Sequence, residues 1–241
     1  MNTAMILCAG FGTRMQDFTK DSPKPMLPIN GKPILEYTLR HLAGCGINNI
    51  VINVHYLAGK ITDYFKSGET LNIKITYSHE TDPLGTAGAV RNVRNILGKE
   101  DNFLVLYGDV ICNQNYADLF AFHASRKDAV ASIILHERQS SNSVVEMDSS
   151  GKIVRFIERP KQEVKDKKQN WVNSGLYCFN SKVFDYIPDK AFSDFPKDVF
   201  PALLANGAFY GFPLNGYRCA IDSPERYLKA QEDFKHQHIF S

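Results

Sequence analysis

Apolar positions in the first half of the chain fall into short runs separated by amphipathic stretches. Residues 4–8 (Ala4-Met5-Ile6-Leu7-Cys8) form an apolar run closed by a glycine turn, the pattern of a parallel strand buried on both faces. Ile34, Leu35, Leu39 and Leu42 recur at helical spacing, and Gly44 and Gly46 offer a stop. Residues 50–54 predict a second strand, 57–65 a short helix, 73–77 a third strand and 85–97 a helix. Residues 103–107 are apolar throughout and end at Gly108-Asp109, which predicts a fourth strand. A helix over 116–125 and a fifth strand over 129–135 follow. This strand–helix alternation predicts an α/β fold with a mainly parallel sheet and helices on both faces.

The pattern then changes. Residues 143–147, 153–156 and 172–179 read as strands, the first two joined by the hairpin-like turn Asp148-Ser149-Ser150-Gly151. The polar, lysine-rich stretch 161–170 reads as a solvated loop, with a basic contact as the alternative. Helical pieces are expected near 181–186 and 198–206, then a strand over 209–213. A last helix runs from Pro224 to about Lys235, with Pro224 in a favourable first-turn position. No repeat and no long linker interrupts the chain. A single domain over 1–241 is expected, with a first half at 1–135 and a lobe with a C-terminal helix at 136–241.

Composition narrows the partners. With 241 residues, 44% hydrophobic and 22% charged, the chain is neither disordered, nor collagen-like, nor a disulfide miniprotein. Lys+Arg 28 against Asp+Glu 26 leaves a formal +2, so no bulk field draws nucleic acid or an anionic membrane. An anionic ligand must be met by a few placed cations. Five scattered cysteines without a C-x-x-C pair read as small buried hydrophobes in a reducing compartment. The N-terminus has no basic region and too short an apolar run for a signal peptide, and no 18-residue apolar stretch exists. A soluble, cytoplasmic protein is expected.

Chemistry concentrates after the first strand, in Ala9-Gly10-Phe11-Gly12-Thr13-Arg14-Met15 and Ser22-Pro23-Lys24-Pro25. Two glycines let backbone N–H groups approach an anion closely; Thr13 adds a hydroxyl and Arg14 a fork of donors. Met15 replaces the third glycine of a dinucleotide fingerprint, and no G-K-[ST] completes a Walker loop. The same residues can be read as a plain strand-to-helix turn with a surface arginine. The prolines around Lys24 restrict its backbone, which helps to aim an ammonium at one spot; a prolyl turn with a solvated lysine is the bland reading. Asp109 ends an apolar strand, where open α/β folds place ligands, and suits Mg²⁺ held by one or two carboxylates plus phosphates. A turn-capping aspartate is the alternative.

Taken in order, these residues match a family. Gly10-x-Gly12-Thr13-Arg14 with Pro23-Lys24-Pro25, Leu84-Gly85-Thr86-Ala87-Gly88-Ala89, Gly108-Asp109, Glu158-Arg159-Pro160, Asn173-x-Gly175 and Asp222-Ser223-Pro224-Glu225-Arg226-Tyr227 together resemble the sugar-1-phosphate nucleotidylyltransferases. The likeness runs from Met5 to about Phe234. It implies a Rossmann-like sheet with a smaller sugar-binding lobe inserted in the second half, and a nucleotide-binding role for 1–135. The implied reaction converts an NTP and a sugar 1-phosphate to an NDP-sugar and pyrophosphate with Mg²⁺. By this likeness Leu7, Ala9, Gly10, Gly12, Thr13, Gly85 and Thr86 hold the nucleotide, with Glu80 near the base. Arg14 grips the β- and γ-phosphates, Lys24 stabilises charge on the α-phosphate, and Asp109 and Asp222 hold the metal. Gly108, Glu158, Arg159, Asn173 and Gly175 serve the sugar phosphate. No general base is needed, because the sugar phosphate is already an ionised nucleophile; alignment and charge neutralisation suffice. The scattered histidines fit no metal spacing, and His236 and His238 near the tail are expected to face solvent.

Two positions depart from the family. Arg159 stands where lysine is usual, and Ala220 stands where many members carry a metal aspartate, with Asp222 two residues before Pro224 instead. The 84–89 and 109–112 stretches look most like mannose- and heptose-1-phosphate guanylyltransferases, which favours GTP. The Asp222 ending resembles cytidylyltransferases, and uridylyl or thymidylyl transfer stays open. The rivals are transfer to a non-sugar phosphate such as phosphocholine and a non-catalytic nucleotide-sugar-binding regulator; the persistence of Arg14, Lys24 and Asp109 argues against the latter. The resemblance suggests dimers or tetramers and a cell-envelope or capsule context. Since the chain ends soon after its last helix, no left-handed β-helix domain is expected.

Overall fold

The computed structural model describes residues 3–138, 143–158, 171–236 and 239–240. In chain order, β1 (Thr3–Leu7) leads through 3₁₀ segments at Thr13–Thr19 and Lys24–Met26 to a small hairpin of β2 (Pro28–Ile29) and β3 (Lys32–Pro33). Next come α1 (Ile34–Gly44), β4 (Asn49–Val54), α2 (Ala58–Phe65), β5 (Lys74–His79), α3 (Gly85–Asn92), α4 (Arg94–Leu97), β6 (Asn102–Tyr107) and β7 (Val110–Cys112). The rest comprises α5 (Tyr116–Ala124), β8 (Ala131–Glu137), β9 (Ser143–Met147), β10 (Ile153–Glu158) and β11 (Trp171–Asn180). It closes with α6 (Phe200–Ala205), β12 (Phe209–Pro213), β13 (Arg218–Ala220) and α7 (Pro224–His236). The result is the expected α/β fold with a central, mostly parallel sheet flanked by helices.

Several elements differ from their sequence reading. The helix expected over 85–97 breaks at Val93, whose φ of −110° and ψ of 25° leave the helical basin, giving α3 and α4. Strand β8 starts two residues late, because the Ala129 N–H joins a turn to Arg126 and its carbonyl accepts the Asn180 side chain. The piece near 181–186 is a 3₁₀ segment, and that near 198–206 opens with a π-helical turn at Phe195–Val199 before α6. Strands β2, β3, β7 and β13, each two or three residues long, carry no periodicity to read. The 161–170 stretch, Arg159 and His238 lie outside the described residues.

The chain forms two compact units, interleaved along the sequence rather than divided at residue 135. The first holds Met1–Pro83, Leu106–Tyr116 and Asn215–Ser241. Here β4 lies between β1 and β5, all parallel, in register from Thr3↔Asn49 to Leu7↔Asn53 and from Asn49↔Lys74 to Val54↔His79. β13 runs antiparallel to β7. A cluster of Met15, Leu27, Ile29, Ile34, Ile111, Ile221 and Tyr227 packs this unit's loops.

The second unit holds Leu84–Val105 and Ala117–Leu214. Its β11 pairs antiparallel with β8, with a register shift between Asn173 and Tyr177, and β12 runs parallel to β8. The β9–β10 hairpin forms as expected: Asp148 Oδ1 accepts from the Ser150 and Lys152 N–H groups, and Gly151 takes φ +83°. Stacked and tilted rings fill the core, with Phe179–Phe195 at 4.8 Å and Phe200–Phe209 at 4.7 Å between centroids.

Candidate active site

In the first unit, the chain leaves β1 at Leu7 and turns through the glycine loop. Gly12 adopts φ +68°, and its carbonyl accepts from the Met15 N–H at 2.9 Å and the Thr19 hydroxyl at 3.2 Å. Met15, at the position of a third glycine, is fully buried in the Leu27–Ile29–Tyr227 cluster. Its side chain therefore anchors the loop, which leaves Gly10, Thr13 and Arg14 on the surface around it. Among the described residues Arg14 makes no ion pair.

Pro23, extended at φ −66° and ψ 148°, delivers Lys24 to the start of its 3₁₀ turn. Lys24 is only 8% exposed, and its Nζ lies 2.9 Å from Asp109 Oδ2. An ammonium this buried needs a partner, so the bland reading of a solvated lysine is excluded. Asp109 owes its place to Gly108, whose N–H donates to the Leu7 carbonyl at 2.9 Å. A Cβ at 108 would stand 2.5 Å from Cys8 Sγ and 2.9 Å from the Leu7 oxygen. Only glycine allows this approach. Burial, and then the Asp109 charge, push the Cys8 thiol up.

The short ladder of β7 and β13 explains Asp222. Ala220 pairs with Val110, and the Ile221 N–H donates to the Asp109 carbonyl at 2.7 Å. Ala220 is buried inside the ladder, whereas Asp222 follows one residue beyond that bond. Asp222 Oδ1 pairs with Arg226 in the first turn of α7 at 2.8 Å. One cation near this pair was not singled out in the sequence: Arg218 on β13. Burial lowers its pKa, and the charges of Cys112, Asp109, Cys219 and Asp222 oppose that shift. A lone arginine beside Cys219-Ala220-Ile221 was the available signal.

Glu80 is buried, and Asn53 Nδ2 donates to its Oε1 at 2.7 Å. Leu7 and Ala9 sit at the same strand ends, partly and fully buried respectively.

In the second unit the predicted residues fall into two groups. Gly85 opens α3 at φ +75°, where a Cβ would meet the Ser193 carbonyl oxygen at 2.5 Å. The Thr86 N–H and hydroxyl both donate to Asp194 Oδ1, at 3.0 and 3.2 Å, and the hydroxyl accepts from the Phe195 N–H. The Ala87 and Gly88 amides donate to the Ser193 carbonyl. The Thr86, Ala87 and Gly88 donors of this turn are thus spent within the unit. The other group gathers at Ser143: β10 sets Glu158 opposite it, and its hydroxyl accepts the Asn173 N–H at 2.9 Å. Asn173 Oδ1 accepts from the Gly175 N–H, and its Nδ2 donates to the Tyr177 hydroxyl, both at 3.0 Å. Gly175, at φ +75°, sits in the β11 irregularity. Ser143 was missed, since one serine in an apolar strand carries no local signal.

Asp109 and Asp222, the two carboxylates the sequence offers to a metal, are each paired with a cation, Lys24 and Arg226. Among the described residues no group of three or more His, Cys, Asp and Glu side chains converges. Carboxylate oxygens are hard donors, the kind that would suit Mg²⁺ rather than a softer metal. Among the described residues no helix is long and apolar enough to cross a membrane.

An α/β sheet with a glycine loop after β1 and a buried lysine paired to an aspartate at the strand ends is the architecture of a nucleotide-handling protein. The chain belongs to the nucleotidyl transferase family, which it matches over residues 3–236. It is 35% identical over 228 residues to the mannose-1-phosphate guanylyltransferase catalytic subunit beta of Dictyostelium discoideum, covering 93% of this chain and 62% of that one. Against the mannose-1-phosphate guanyltransferase of Yarrowia lipolytica the identity is 35% over 229 residues, with 93% and 61% covered. The chain thus spans about three-fifths of the length of these relatives. The crystal structure of HddC from Yersinia pseudotuberculosis complexed with GMP-PN superposes with a TM-score of 0.80 at 28% identity, covering 97% of this chain and all of that one.

Proposed function

We propose that the chain transfers a guanylyl group from GTP to a sugar 1-phosphate of the mannose or heptose type, giving a GDP-sugar and pyrophosphate. The observation that carries this reading is the pairing of the buried Lys24 with the part-buried Asp109, beside the Gly10–Arg14 loop. The preference for guanine is supported by the names of the relatives at 35% identity.

In this reading a sugar-phosphate oxygen attacks the α-phosphorus, the α–β bridging bond breaks, and pyrophosphate leaves with the electron pair. Lys24 would offset charge on the α-phosphate, and Arg14 would hold the departing β- and γ-phosphates. Preorganised cations of this kind contribute most where charge develops. Asp109 and Asp222 would hold Mg²⁺, which supplies further neutralisation of the phosphates. Leu7, Ala9, Gly10, Gly12 and Thr13 would line the nucleotide, with Glu80 at the base, while Gly85 and Thr86 contribute a rigid turn rather than free donors. Gly108, Glu158, Arg159, Asn173 and Gly175 would serve the sugar phosphate. We place the reaction in the cytoplasm, where the five free cysteines stay reduced. The Asp222 position favours cytidylyl transfer as the second reading.

The test is pyrophosphate release with and without Mg²⁺, for GTP, CTP, UTP, dTTP and ATP against sugar 1-phosphates and phosphocholine. Turnover with GTP and one sugar 1-phosphate is expected. CTP-only turnover moves the assignment to the second reading. Phosphocholine as the sole acceptor removes the sugar roles, and silence from folded, nucleotide-binding protein overturns catalysis.

A further inference from the structure

Asn53 is the one polar residue inside the otherwise apolar run Ile50-Val51-Ile52-Asn53-Val54, and it is 3% exposed. A buried carboxamide is costly unless its donors and acceptor are met. Both ends are met here by groups of the candidate site. The Cys8 N–H, the first amide past β1, donates to Asn53 Oδ1 at 2.8 Å, and Asn53 Nδ2 donates to Glu80 Oε1 at 2.7 Å. These partners also fix the amide orientation: flipped, it would set donor against donor and acceptor against acceptor. The β4 register places Asn53 opposite Leu7 on one side and Ser78 on the other, so its side chain stands between the chain ends leading to both partners. Glu80 is tied further by its backbone, whose N–H donates to Val54 and whose carbonyl faces His55 Nδ1 at 2.8 Å.

We propose that Asn53 is a positioning residue for nucleobase selection, holding the Glu80 carboxylate and the amide that opens the glycine loop in one register. A base that presents adjacent N–H donors, as guanine does, is discriminated only if the acceptors facing it keep fixed positions. A neutral amide suits this role, because it binds a carboxylate without neutralising it. The inference rests on the reading that Glu80 and the loop face the base.

Steady-state kinetics on Asn53→Asp tests it. That variant keeps the acceptor for the Cys8 amide and sets a second carboxyl against Glu80, so the neutral donor is replaced by repulsion or by a proton shared between the two. KM for GTP is expected to rise about tenfold or more, with kcat and the sugar-phosphate KM within about twofold. The ratio of kcat/KM for GTP over ATP should fall in parallel. Asn53→Ser, whose single hydroxyl cannot meet both partners, should show the same split. A folded variant with unchanged GTP selectivity overturns the proposal, as does a general loss in which both KM values rise together. Failure of both variants to fold also overturns it, in favour of a purely structural role. Absence of turnover by the unaltered protein with every NTP overturns the functional reading itself, so the two failures are distinguishable.

Discussion

The two compact units carry their candidate functional groups in different physical forms. In the first, the groups are charges: Lys24 against Asp109, Arg226 against Asp222, and the exposed Arg14. In the second, the described groups are mostly neutral, and geometry is set by backbone. Gly85 and Gly175 take left-handed conformations, Thr86 is tied to Asp194, and Asn173 is bound at both ends. Charges act on the reacting phosphates at a distance and are worth most when desolvated. Neutral hydrogen bonds act only in a fixed geometry, so the groups of that unit are held by partners within it. The difference implies that losing a charge of the first unit shows as lost rate and disturbing a backbone turn of the second as lost fold.

The sharpest way to break this comparison is Lys24→Ala. It should lower kcat roughly hundred- to thousandfold while GTP affinity stays within about threefold. Because Asp109 then loses its partner, the measurement should pair single-turnover kinetics with equilibrium nucleotide binding. An unchanged kcat would remove Lys24 from the phosphate path.

Next in size is Gly85→Ala, which tests the other unit. The added Cβ meets the backbone oxygen of Ser193 at 2.5 Å and takes φ +75°. A loss of about 3 kcal/mol in urea unfolding is expected. A variant of normal stability but poor GTP affinity would show instead that Gly85 contacts the nucleotide, which would blur the contrast.

The smallest expected effect is that of Asp222→Asn. Its ion pair with Arg226 is partly exposed and contributes about 1 kcal/mol or less, so the melting temperature should hardly move. The Mg²⁺ concentration for half-maximal activity should rise about tenfold. An unaltered metal titration would assign the second ligand elsewhere.

The fold was largely legible because buried strands announce themselves as apolar runs. Residues 4–8, 50–54 and 103–107 needed no tertiary information to be read as strands. The two-residue and three-residue strands could not be read, since they are too short for a period and exist only through their partners. The helix expected over 85–97 failed at Val93 for a similar reason: the local pattern continues while the backbone leaves the helical basin.

The candidate site was legible as a set of residue types and less so as an arrangement. Sequence by itself determined that a glycine loop, Lys24 between prolines and Asp109 at a strand end would be present, because those features are local. Tertiary structure decided who meets whom. Lys24 and Asp109 are 85 positions apart, Thr86 and Asp194 are 108, and Asn53 links Cys8 to Glu80. It also decided that Ala220 lies inside a ladder while Asp222 lies beyond it, and that Ser143 links Glu158 to Asn173. The physical reason is that a buried polar side chain is held by whichever complementary group the fold delivers to it. That delivery depends on strand register and chain path, which no local spacing encodes.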